Sequence, residues 1–326
     1  MVPSEERRRW LEIGLFTGAA FLLYQVRAAF FLSAVPLFLL GYRRDRYAQL
    51  YGAGLFLAAV FLQIAVHLRA LDDPQLVRFF TVIEVAYPLS FVLGILWIQW
   101  RGGRTLYAML EASILVGALS VPVIIIFSGN QEITGFLADQ IRAISESIRQ
   151  AFGQGVEGGG AASAPVIAGD EMVKLVKDLF FRNYLFSYFL LLSATWAISE
   201  GINRRMTGVA PFTLERFTVP EKFLWPLIGV WAGVLLDVIG NLGFFGYLVW
   251  NAGMILLFVY ALQGIGILRY LFRRHGVGPG LRILVIVASV IVLFTPGINL
   301  VLIIGIPLLG VSEYWIHYRI GEGEQL

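Results

Sequence analysis

Four polar side chains interrupt otherwise apolar runs and define the chemistry open to this chain: Glu84, Asp237, Asn241 and Asn251. A carboxylate or amide at membrane depth is costly unless partnered, so each is a candidate ligand contact. Asp237 and Asn241 stand one helical turn apart, and Asn251 follows on the next apolar run at similar depth. On one reading these three line a polar pocket open to the outer side. On the other, Gly240 to Gly243 ("GNLG") is a tight turn, with Asn241 ending a helix and Asp237 at its interface. Glu84 lies four residues before Pro88, whose missing N–H loosens the backbone. It either contacts a ligand or pairs with Arg78 or Arg69. His67, Arg69, Asp72 and Asp73 would stand at the mouth of such a pocket.

A second polar group, Glu111, Glu200, Gln263 and Glu313, falls toward the opposite side and reads as structural. Glu111 is within reach of Arg101 or Arg104. Glu313 is poised to pair with an arginine where the last helix leaves the bilayer beside Trp315 and Arg319. Cysteine is absent and the three histidines are far apart without an HExxH spacing, so no metal site is expected. There is no GxxxxGK[ST] loop, no pair of aspartates within the apolar runs and no GxSG serine. The expectation is a non-enzyme without a cofactor, and any ATP hydrolysis belongs to a partner. The net charge of +3 is too small to suggest nucleic acid.

These residues are carried on elements that only a bilayer would accept. Apolar residues make up 58% of the chain, charged ones 14%, and the mean hydropathy is +0.76, all displaced from the soluble range toward membrane. Spans are expected over Leu50–Leu68, Phe79–Trp100, Leu106–Phe127, Phe180–Ile198, Phe223–Gly240, Phe244–Leu271, Leu281–Thr295 and Ile298–Trp315. The first run, Leu11–Leu40, is too long for one span and holds Arg27 mid-way, so two short helices meeting near Arg27 are expected. The fold class is therefore all-α, a polytopic transmembrane helical bundle of about ten crossings, eight at the fewest.

Arginine clusters give the orientation. Arg7 to Arg9, Arg43 with Arg44 and Arg46, Arg101 with Arg104, Arg204 with Arg205, and Arg273 with Arg274 recur at every second gap. Positive residues mark the cytoplasmic side, which puts both termini there and reads the N-terminus as a retained first helix. Three regions follow: N-terminal membrane helices over 1–128, an extracytoplasmic segment over 129–179, and C-terminal membrane helices over 180–326. The middle one opens with apolar residues at three- and four-residue steps from Ile133 to Phe152, an amphipathic helix that either lies on the surface or closes as a lid. A glycine- and alanine-rich stretch with the composition of a flexible linker follows. Gly14 with Gly18 on the first helix, and Gly54 with Ala58 on the third, make small-residue faces that permit close packing within the chain or against a partner subunit.

The C-terminal third carries a family likeness. "FTVPEKFLWPLIG", "WNAGMILLFVYALQGIGILRYLF" and the closing "LGVSEYWIHYR" resemble YybS-like bacterial integral membrane proteins, a family of unassigned function. The matching positions are Phe217 and Pro220, Asn251, Gln263 with Gly264, and Glu313, Trp315 and Arg319. The early "AVPLFLLGYRR" fits as well. That family in turn resembles the substrate-binding membrane subunits of energy-coupling-factor vitamin transporters. The resemblance implies a multi-pass protein of the bacterial inner (cytoplasmic) membrane, with an outward ligand pocket. It also implies a docking face at Gly14 and Gly18 for a membrane coupling subunit and its ATPases. Two functions are expected: a small-solute binding or permease component, or a non-transporting scaffold or regulator that recruits partner proteins. Convergence of Glu84, Asp237, Asn241 and Asn251 on one cavity would separate them.

Overall fold

The computed structural model describes residues 4–69, 74–102, 105–128, 135–136, 138–144, 146–147, 169–210 and 212–319. Among these the chain is helical, with no strand. Among the described residues, five helices are long and apolar enough to cross a membrane. It forms two compact units, Met1–Val209 and Ala210–Leu326.

The first unit begins with α1 (Ser4–Tyr24), a 3-10 segment (Arg27–Ser33) and α2 (Ala34–Arg43). The expected break near Arg27 is there, with non-helical dihedrals at Ala29. The Thr195 hydroxyl fastens it by donating to the Phe31 carbonyl at 3.2 Å. Asp45 caps the start of α3 (Arg46–Leu68), its carboxylate accepting from the Ala48 amide, as an N-cap acid should. α4 (Pro74–Arg101) contains Pro88, and α5 (Thr105–Ser128) follows. Phe38, Phe56, Ile95, Phe189 and Leu192 are fully buried at the centre.

α6 (Gly169–Thr207) packs on α2, α4 and α5 and so belongs to this unit. The sequence reading groups everything after 180 with the C-terminal helices. The difference has a physical source in the buried face of α6, where Leu185, Tyr188, Leu192, Thr195 and Ser199 recur at helical spacing. Residues 171–181, leading into the expected span at Phe180–Ile198, form the first part of this same helix. The described residues 135–136, 138–144 and 146–147 are helical and fall within the expected amphipathic helix. The glycine-rich stretch, with Asp72, Asp73 and the side chains of Arg27 and Arg78, lies outside the described residues.

The second unit contains α7 (Leu224–Gly240), α8 (Phe244–Arg274), α9 (Pro279–Leu293) and α10 (Asn299–Ile316). Half of the apolar window of α8 is buried, against 11% for α7 and α10, which makes α8 the axis. No residue of α9 is buried, although Leu281, Ile283, Leu284, Ile286 and Ile291 are all apolar. A helix that is apolar all round needs lipid around it. Trp225 and Trp315, near helix ends where aromatic rings anchor membrane helices, are 76% and 67% exposed.

Candidate functional site

Phe217, Pro220, Gln263, Gly264, Glu313 and Arg319 come together in the second unit. Between Ala210 and Leu224 the chain runs as an irregular strap with two 3-10 turns, Leu214–Arg216 and Glu221–Phe223. Glu215 pairs with Arg273 near the end of α8, and the Val219 amide donates to Gln263 Oε1 at 2.7 Å. Ten helical residues separate those two anchor points, so the strap reaches about 15 Å inward from the basic end of α8.

Irregular backbone at such depth is tolerated only where protein groups satisfy it. Here they do. Arg319 donates to the carbonyls of Glu215 at 2.6 Å and Phe217 at 3.1 Å. The Tyr314 hydroxyl donates to Val219 at 3.0 Å and Pro220 at 3.3 Å. The other edge of the Arg319 guanidinium grips Glu313, and both side chains are only 12% exposed. Gln263, 1% exposed, donates to the Gly310 carbonyl at 3.0 Å and to Glu313 Oε2 at 2.8 Å. Its amide is saturated on both sides.

Glycines bring the backbones together for this. A Cβ at Gly264 would collide with the Ile306 carbonyl, one at Gly310 with that of Tyr260, and one at Gly266 with that of Leu214. Chemically, the arrangement is a closed polar clamp that joins strap, α8 and α10. The pairing of Glu313 with an arginine is as the sequence suggests. The capture of the strap by Gln263 and Tyr314 is a contact the sequence reading did not contain.

The candidate ligand residues stand apart from the clamp. Asp237, 7% exposed, accepts from the Leu242 amide and from Trp250 Nε1, each at 2.9 Å. Asn241 takes the left-handed conformation (φ 48°) that ends α7, and Gly243 opens α8 at φ 59°. Asn and Gly are the residues that tolerate such angles. The GNLG run is thus a tight turn, with Asp237 tying its two helices together. Asn251, 1% exposed, donates to the Tyr247 carbonyl of its own helix at 2.8 Å. Glu84 belongs to the first unit, exposed on α4.

In the first unit the inner polar residues have partners too. Glu111 accepts from Trp97 Nε1 at 3.1 Å and Arg101 Nε at 3.2 Å. Glu200 accepts from Arg204 Nε at 2.5 Å. Gln49, which sequence reasoning passed over, is 1% exposed and links the Leu37 carbonyl, Gln99 and Trp100. Its only sequence signal is an amide inside an apolar run. At the corner before α3, Arg44 donates to Glu12 at 2.7 Å, and that carboxylate raises the guanidinium above its ordinary pKa. Gly14 and Gly18 have open space at their Cβ positions, as does Gly54. Among the described residues no cluster of three His, Asp or Glu could hold a metal ion.

Apolar helices and internally bonded polar groups define an α-helical integral membrane protein. The chain belongs to the family described as predicted membrane protein (DUF2232), whose model matches residues 22–307. Phe217, Pro220, Asn251, Gln263 and Gly264 fall inside the matched region, whereas Gly14, Gly18, Glu313 and Arg319 fall outside it. No curated protein and no solved structure matches the chain.

Proposed function

We propose that this protein is a non-transporting membrane scaffold or regulator that recruits partner proteins. Its setting is a bacterial cytoplasmic membrane, crossed about ten times with both termini inside. One observation carries this reading: six polar groups within the apolar helices are bonded to the chain itself. Asp237 serves a turn, Asn251 its own helix, Glu111 and Glu200 their neighbouring arginines, and Gln263 with Glu313 the strap. Carboxylates engaged in this way are poor general acids or bases, which supports a non-catalytic role. Gly14 and Gly18, uncovered on α1, offer a face where a partner helix can approach closely.

The second reading is the solute-binding component implied by the resemblance to YybS-like proteins and, through them, to energy-coupling-factor subunits. One observation favours it. Glu84 is an exposed carboxylate one turn before Pro88, and Pro88 and Tyr87 line an apolar cleft with Tyr24, Phe30, Phe56 and Phe91.

Purification from the native host in mild detergent, followed by mass spectrometry of proteins and metabolites, tests the two. Recovery of a partner protein without a small molecule, lost in G14L/G18L, supports the scaffold. A retained metabolite, or an ATPase pair with a membrane coupling subunit, overturns it in favour of solute binding.

A further inference from the structure

Six helix termini of the first unit gather at one end. Arg9 pairs with Asp45 at 3.1 Å, joining the start of α1 to the start of α3. Arg43 Nη2 lies 3.9 Å from Met206 Sδ, which brings the end of α2 to the end of α6. The Gln49–Gln99 bond joins α3 to the end of α4, and Arg101 reaches Glu111 near the start of α5. Four acids at this end are engaged, Glu12 with Arg8 and Arg44, Asp45 with Arg9, Glu111 with Arg101 and Glu200 with Arg204, while Glu5 and Glu6 stand exposed in the first turn of α1. Among the described residues no ion pair forms at Arg43, Arg46 or Arg205, and all three are exposed.

Exposed aromatics stand at the same level. Trp10 and Tyr51 pair at 5.6 Å between ring centroids, and Tyr47 is 69% exposed. Such rings settle where headgroups meet acyl chains. Arg43 lies 5.7 Å over the Phe16 ring, so its cation is held against the membrane side of the corner. An acidic protein would meet cations that project into water. A lipid phosphate meets cations held at this depth, and the guanidinium fork matches its oxygens.

We propose that this end of the first unit binds the phosphate headgroups of anionic phospholipids through Arg43, Arg46 and Arg205. The site needs no particular partner protein or solute and is independent of the function proposed above.

The test uses the full chain in nanodiscs of phosphatidylcholine and phosphatidylglycerol, followed by native mass spectrometry of the lipids that stay bound. Wild type is expected to enrich phosphatidylglycerol by about tenfold or more. R43Q/R46Q/R205Q should lose that enrichment, R43K/R46K/R205K should keep most of it, and R69Q, at the far end of α3, should not change it. If the triple glutamine chain fails to fold, R46Q/R205Q must by itself lose most of the enrichment. No enrichment in wild type, or full enrichment in the glutamine variants, overturns the proposal. Displacement of the lipid by inorganic phosphate also overturns it, in favour of a soluble anion.

Discussion

The guanidinium of Arg319 faces Glu313 on one edge and two strap carbonyls on the other. Removing it leaves two backbone acceptors without their donor and a carboxylate that keeps the Gln263 amide but loses its counter-charge, in surroundings where water is scarce. Arg319→Gln should destabilise the second unit by about 3–5 kcal/mol, the usual cost of breaking a buried pair. Adding Glu313→Gln should recover part of that loss, because the stranded charge goes with it. Thermal unfolding in detergent, followed by Trp fluorescence, would read both. Equal loss in single and double variants would contradict the pairing. Asp237 invites a second test. An asparagine there has one acceptor for two donors, so the Leu242 amide or the Trp250 indole loses its partner. Asp237→Asn should cost about 1.5–3 kcal/mol, with Trp250→Phe non-additive to it. The Glu313 pairing was legible because its arginine lies one helix end away. The partner of Gln263 was not, because Val219 stands 44 residues distant and nothing local to Gln263 points to it.

At the level of helices, α8 and α10 cross so closely that only glycine fits at Gly264 and Gly310. Gly264→Ala must push the Ile306 carbonyl, a backbone atom that cannot turn aside, and should cost about 1–3 kcal/mol or more. Gly54→Ala, where nothing lies within 4 Å, should be neutral or slightly stabilising, since alanine favours helix. The same unfolding assay separates the two; equal effects would mean the crossing is looser than described. The apolar runs made the helices readable, and the break near Arg27 followed from the misfit between run length and bilayer thickness. The allegiance of α6 was hidden. Its buried stripe is apolar at helical spacing like any other, and such a stripe does not name the helices it meets.

For the whole molecule, the proposed topology makes a direct prediction. A C-terminal green fluorescent protein fusion should fluoresce, and alkaline phosphatase fused there should be inactive, whereas phosphatase inserted near 160 should be active. Alkaline carbonate washing should leave the chain in the membrane fraction. Active phosphatase at the C-terminus would place that end outside and overturn the proposed topology. Which helices form which unit could not be read along the sequence, since the division at Val209 falls between two apolar segments of similar character. The strap also sets the order of manufacture. Its carbonyls at Glu215 and Phe217 are matched by an arginine that leaves the ribosome about a hundred residues later. Until α10 is in place and Arg319 has been made, those groups must be solvated at the membrane surface or covered by an insertion factor. A ribosome that stalls after α8 therefore leaves a half-built unit with its strap unseated, a form that quality-control proteases can distinguish from the finished chain.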